Sequence, residues 1–148
     1  MKYLLVCIGN REGGDDAVGP FIADELNKIQ LTDMEVLDVG TVLENYTSVI
    51  KRKKPEKLYL IDAVDMNLSS GEIRIVPKEK IGLMHVSTHG IPLPIFVNYL
   101  SQYIAEITII GIQPQTMNER MTSNVKKNAL ILIEILKNKD FSLIKTLT

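Results

Sequence analysis

Tyr3-Leu4-Leu5-Val6-Cys7-Ile8 is an apolar run with no polar alternation, closed by Gly9-Asn10. A half-exposed strand would alternate, so this segment reads as a strand buried on both faces, and such a strand needs a helical layer on each side. Helical spacing follows directly, with Val18, Phe21, Ile22, Leu26 and Ile29 recurring at the interval of an amphipathic helix. Pro20 lacks an N–H and is tolerated only near a helix start, which places that start at about Ala17. Asp15 or Asp16 then sits at or just before the N-cap.

The same alternation continues along the chain. Residues 34–39 form a second strand that turns at Gly40, and Val42, Tyr46, Val49 and Ile50 mark a second helix. That helix ends at Lys51-Arg52-Lys53-Lys54 and Pro55, where cations are favoured by the helix dipole. Residues 58–61 are a third buried strand that stops at Asp62. A turn-rich stretch leads to a short strand over 72–77, and residues 86–94 form a loop containing Thr88, His89 and Gly90. A helix from about Pro92, a strand over 106–112 and a closing helix over 122–137 complete the pattern. Strands alternating with helices imply parallel βαβ units joined by right-handed crossovers. The expected fold is a single α/β domain over residues 1–148, with helices on both faces of a mostly parallel sheet.

Composition excludes several functions. A chain with 17 Lys plus Arg against 18 Asp plus Glu has a formal net charge of −1, which removes the generic electrostatic case for nucleic acid or anionic membranes. One cysteine can form neither an internal disulfide nor a thiolate zinc site. The apolar run after Lys2 is shorter than the ~7–15 residues of a signal core. No apolar stretch reaches the ~18–20 residues of a membrane span, so a cytoplasmic protein is expected.

Three places carry candidate chemistry. The turn Gly9-Asn10-Arg11-Glu12-Gly13-Gly14-Asp15-Asp16 lies between the first strand and first helix, where phosphate is often cradled. It matches neither GxGxxG nor a P-loop, and Glu12, Asp15 and Asp16 would repel a phosphate; the turn suits a cation. Asp62 lies at the carboxyl end of a strand, where open α/β sheets bind ligands, though an Asp there also caps turns. If the first and third strands are neighbours, Asp62 meets the Asp15-Asp16 turn. His89 sits in a loop without hydrophobic periodicity. Carboxylates and a neutral imidazole make a three-ligand metal set with open positions for substrate or water. Asp38, ending the second strand, and Thr41 border the same edge and are candidates for contacting a substrate peptide, with turn capping as the alternative role for Asp38. Cys7, inside an apolar strand, reads as inert core, and no GxSxG elbow supports a serine hydrolase.

The blocks Cys7-Ile8-Gly9-Asn10 with Gly14-Asp15-Asp16-Ala17-Val18-Gly19-Pro20, then Asp62-Ala63-Val64-Asp65, then Ser87-Thr88-His89-Gly90-Ile91-Pro92-Leu93 closely resemble the nickel-iron hydrogenase maturation endopeptidases. Gly111-Ile112-Gln113-Pro114 also looks like the family, and the pattern is most similar to the branch serving formate-hydrogenlyase and energy-converting hydrogenases. Ala17 stands where many members have Gly. The resemblance covers about residues 3–136. It offers no guide to residues 138–148, which are expected to be a loosely held tail.

The resemblance implies a three-layer α/β/α sandwich around a twisted, mainly parallel sheet. It implies an endopeptidase that removes a short C-terminal extension from the precursor of a hydrogenase large subunit once nickel is inserted. Asp16, Asp62 and His89 match the family's metal set, and nickel would arrive in the substrate centre. Whether the chemistry is aspartyl-type or metal-assisted stays open at this level. The alternatives are a non-catalytic nickel-centre checkpoint or metal-binding module and, against the acidic turn, a nucleotide-binding α/β domain.

Overall fold

The computed structural model describes residues 1–82, 85–86 (backbone only) and 91–148. Strand β1 spans Tyr3–Ile8 and helix α1 Val18–Leu26; β2 spans Met34–Gly40 and α2 Thr47–Lys53. Strands β3 (Lys57–Asp65) and β4 (Ile73–Val76) follow, then α3 (Lys78–Ile81), β5 (His85–Val86) and α4 (Leu93–Leu100). The chain closes with β6 (Glu106–Ile112) and α5 (Ser123–Asn138). The strand order is β2-β1-β3-β6-β4, with β5 added beside β3. The β1–β2, β1–β3 and β3–β6 pairs are parallel, while β4 runs antiparallel to β6.

Alternate residues of the central strands feed two cores. Leu4, Val6, Ile8, Leu58 and Leu60 pack beneath α2 and α4, against Ile50, Phe96 and Leu100. Leu5, Cys7, Ile61 and Ala63 face the other way, against Val18 and Ile22 of α1 and Val125, Ala129 and Leu132 of α5. The fold is thus a single three-layer α/β/α domain, and β1 is buried on both faces as its composition requires.

Two boundaries differ from the sequence reading. Strand β3 does not stop at Asp62; it continues to Asp65, because β6 pairs with it through Ala63 and β5 then pairs with Val64 and Asp65. Val86 belongs to β5 instead of a loop. Asp16 sits just before the N-cap of α1, as expected: with Asp15 it lies in a short 3-10 turn, Gly14–Ala17, and Ala17 occupies the N-cap. The pairing of β1 with β2 slips between Cys7 and Ile8, leaving Val39 as a bulge just before Gly40. A bulge re-aims the strand end, and this one lies beside the turn that follows β1.

Residues 141–147 run back along β4. The Ile75 N–H donates to the Lys145 carbonyl at 2.8 Å, and the Leu147 N–H donates to the Ile75 carbonyl at 2.9 Å. Ile144 and Leu147 are buried. Phe141 stacks on Tyr59, with ring centroids 4.2 Å apart and planes 7° from parallel.

Candidate active site

Loops after β1 and β3 diverge at the point where strand order reverses, the usual ligand-binding edge of an open α/β sheet. Gly9 opens the first loop. At φ +154° its missing Cβ would stand 2.0 Å from the Asp16 carbonyl oxygen, so only glycine lets the chain fold back on the Gly14–Ala17 turn here. Asp16 is 3% exposed, and its Oδ2 accepts the Asn10 N–H at 3.1 Å. The turn packs against β3.

Asp62 is fully buried within that strand, level with Gly111 of β6. Its Oδ1 accepts the N–H of Ala63 at 2.8 Å. Strand alternation, with Leu60 and Val64 in the core beneath α2 and α4, gives Asp62 the same face. Buried carboxylates are costly unless compensated, and two at one sheet edge mark a site and not a surface. His89, the third member of the expected set, lies outside the described residues. On either side of it, β5 pairs with the end of β3 and α4 begins at Leu93. Among the described residues, no cluster of three His, Cys, Asp or Glu side chains is placed to hold a metal ion.

Asp15 and Asp16 are adjacent but differ in employment. Asp15 is fully buried and turns towards the loop after β6, accepting N–H groups of Gln115 at 2.8 Å, Thr116 at 3.1 Å and Thr122 at 2.6 Å.

Asp38 and Thr41 line a cleft of about 420 Å³ together with Gly9, Asn10 and Arg11. Asp38 also caps its turn, since Oδ1 accepts the Gly40 N–H at 3.0 Å. Its Oδ2 accepts from Arg11, whose guanidinium reaches Asp24 as well, at 2.7 Å and 2.9 Å. Hydrogen bonding to Arg11 holds the Asp24 carboxyl below the usual carboxylate range. Arg11 and Gln113 escaped the sequence reading as site-shaping residues. A single Arg among acids was the available signal for the first, and the Gly111-Ile112-Gln113-Pro114 block for the second. Cys7 is buried in the core, as expected, and burial pushes its thiol pKa far up, with Asp38, Asp24 and Asp62 adding to the effect.

No helix among the described residues is long and apolar enough to cross a membrane. The family profile for hydrogenase maturation protease matches residues 20–138. The chain is 36% identical to the hydrogenase 3 maturation protease of Escherichia coli K12 over 115 residues, 77% of this chain and 74% of that one. A putative hydrogenase maturation protease of Methanocaldococcus jannaschii is 33% identical across 92% of this chain and 89% of its own length. A crystal structure of a hydrogenase 3 maturation protease superposes with a TM-score of 0.92 at 30% identity, covering 100% of this chain and 97% of the other. HycI from Thermococcus kodakarensis, described as a nickel-iron hydrogenase maturation protease, gives 0.82 at 31% identity, covering 93% and 90%. The site thus sits on the fold of a peptidase. The chain belongs to the hydrogenase maturation protease family.

Proposed function

We propose that this protein is a cytoplasmic endopeptidase that removes a short C-terminal extension from the nickel-loaded precursor of a nickel-iron hydrogenase large subunit. Asp16, Asp62 and His89 recognise the nickel centre that the substrate brings. The observation carrying this reading is the burial of Asp16 and Asp62, 3% and 0% exposed, at one ligand-binding edge of a maturation-protease fold. Oxygen donors and an imidazole suit nickel, and a cation offsets the cost of burying the two charges. Such a set is incomplete without softer ligands, which the precursor's own thiolates provide. Docking the loaded centre therefore aligns the scissile bond at the same moment as it fills the site. An ionised carboxylate at this edge can also accept a proton from an attacking water. Asp38 and Thr41, in the neighbouring cleft, contact the substrate peptide.

The test offers the purified protein two precursors, one nickel-free and one nickel-loaded. Shortening of the loaded subunit alone is expected, and it should be lost in Asp16→Ala, Asp62→Ala and His89→Ala. Equal cleavage of both precursors would remove nickel as the signal. Binding of the loaded precursor without any shortening would favour a checkpoint role instead.

A further inference from the structure

Asp15 reaches across the sheet. Strand order places β1 and β6 on opposite sides of β3, so a bond from the turn after β1 to the loop after β6 links the two strands that flank β3, the strand that carries Asp62. Four donors meet the side chain of Asp15 there. Oδ2 accepts the N–H groups of Gln115 and Thr116, while Oδ1 accepts the N–H of Thr122 and its hydroxyl lies 3.1 Å from both oxygens. A carboxylate has about four acceptor sites, so these donors fill Asp15 and leave it nothing for a ligand. The backbone repeats the contact, with the Asp15 N–H donating to the Thr116 carbonyl at 2.8 Å. Gly14 closes it from the other side, at φ +63°, where a Cβ would stand 2.6 Å from the Asn118 carbonyl oxygen. Side chains of consecutive residues in a 3-10 turn diverge by about 120°, so fixing Asp15 on the loop fixes the direction in which Asp16 projects.

We infer that Asp15 is a positioning residue of the cleavage reaction, a latch to Gln115, Thr116 and Thr122 that sets the placement of the Asp16 carboxylate. The inference rests on Asp16 acting in the site, as proposed above. Its test compares Asp15→Asn, Thr122→Val, Thr122→Ser and Asp16→Ala on nickel-loaded precursor, at a temperature where circular dichroism shows each variant folded. Asparagine would turn an NH2 group towards backbone donors, and a misplacement near 1 Å can cost about 100-fold in rate. The expected result is a loss of that order in kcat for Asp15→Asn with KM unchanged, a smaller loss for Thr122→Val, and full recovery in Thr122→Ser. A merely structural latch would lower the melting temperature and leave kcat of the folded enzyme intact. Wild-type kcat in folded Asp15→Asn overturns the inference; should that variant not fold, wild-type kcat in Thr122→Val does the same. Those results alongside an inactive Asp16→Ala leave the site reading standing, whereas an active Asp16→Ala overturns the site reading and the latch together.

Discussion

The side-chain oxygen of Gln113 accepts the backbone N–H of Met66 at 2.6 Å, and that of Leu68 at 3.2 Å. Its amide group donates to Asp65 Oδ1 at 3.1 Å. One buried side chain at the end of β6 thus stands in for the backbone partner that the chain after β3 lacks, and it holds that strand end just beyond Asp62. Gln113→Ala strips buried N–H groups of their acceptor, which costs about 1–3 kcal/mol. For a domain of this size the melting temperature should fall by roughly 2–4 °C per kcal/mol, measurable by calorimetry. Gln113→Glu keeps the acceptor but faces Asp65 with a second carboxylate, so its defect should shrink as pH falls and the pair takes up a proton.

Asp62→Asn preserves an acceptor for the Ala63 N–H and removes a fully buried carboxyl group. Processing of the nickel-loaded precursor should be lost, while the melting temperature stays level or rises, because sites built for function carry charges the fold does not need. A large drop in stability without loss of processing would assign Asp62 to the core instead.

Asp38→Asn separates two roles in one side chain. The turn should survive, since an amide oxygen still accepts the Gly40 N–H. Cleavage efficiency or site choice should change with nickel-centre recognition intact; unchanged processing would leave turn capping as the role of Asp38.

Arg11→Ala tests the neighbouring ion pairs, which are exposed and therefore worth little each. Arg11 lowers the Asp24 pKa, so its stabilisation is present above the unfolded value near ~4 and is lost as pH falls through the lower folded value. Denaturation curves of variant and wild type should differ slightly at neutral pH and converge in acid below that range.

Burial predicts that Cys7 resists iodoacetamide in the native protein and reacts once the chain unfolds in denaturant. Cys7→Ala should retain processing, which a thiol nucleophile would not allow.

Periodicity made most of the fold legible. The unbroken apolar run of β1, the strand at Glu106–Ile112 and the spacing of α1 all appear where the residues place them. The end of β3 was hidden because Asp62 reads as a stop signal, whereas pairing to β6 and β5 carries the strand beyond it. Composition shows a carboxylate's cost but not which neighbour meets it. Asp15 and Asp16 look alike in sequence, and their division of labour depends on donors about a hundred residues away. Arg11 was likewise silent, since its partners Asp24 and Asp38 come together through the packing of α1 beside β2. His89 rests on motif resemblance, outside the described residues.

Strand β4 closes one side of the sheet, and its outward backbone groups are the kind that recruit strands from other molecules. Residues 145 and 147 already occupy the N–H and C=O of Ile75. Residues 143–148 therefore act as a cover on a sticky border, and because Ile144 and Leu147 are buried, their worth should show in solubility as well as in melting temperature. Removing residues 143–148 should leave a folded enzyme that self-associates with rising concentration, seen as growth in light scattering. For the precursor-processing role proposed above, an edge at β4 that is already occupied is one fewer place for a partner's extended segment to pair out of turn.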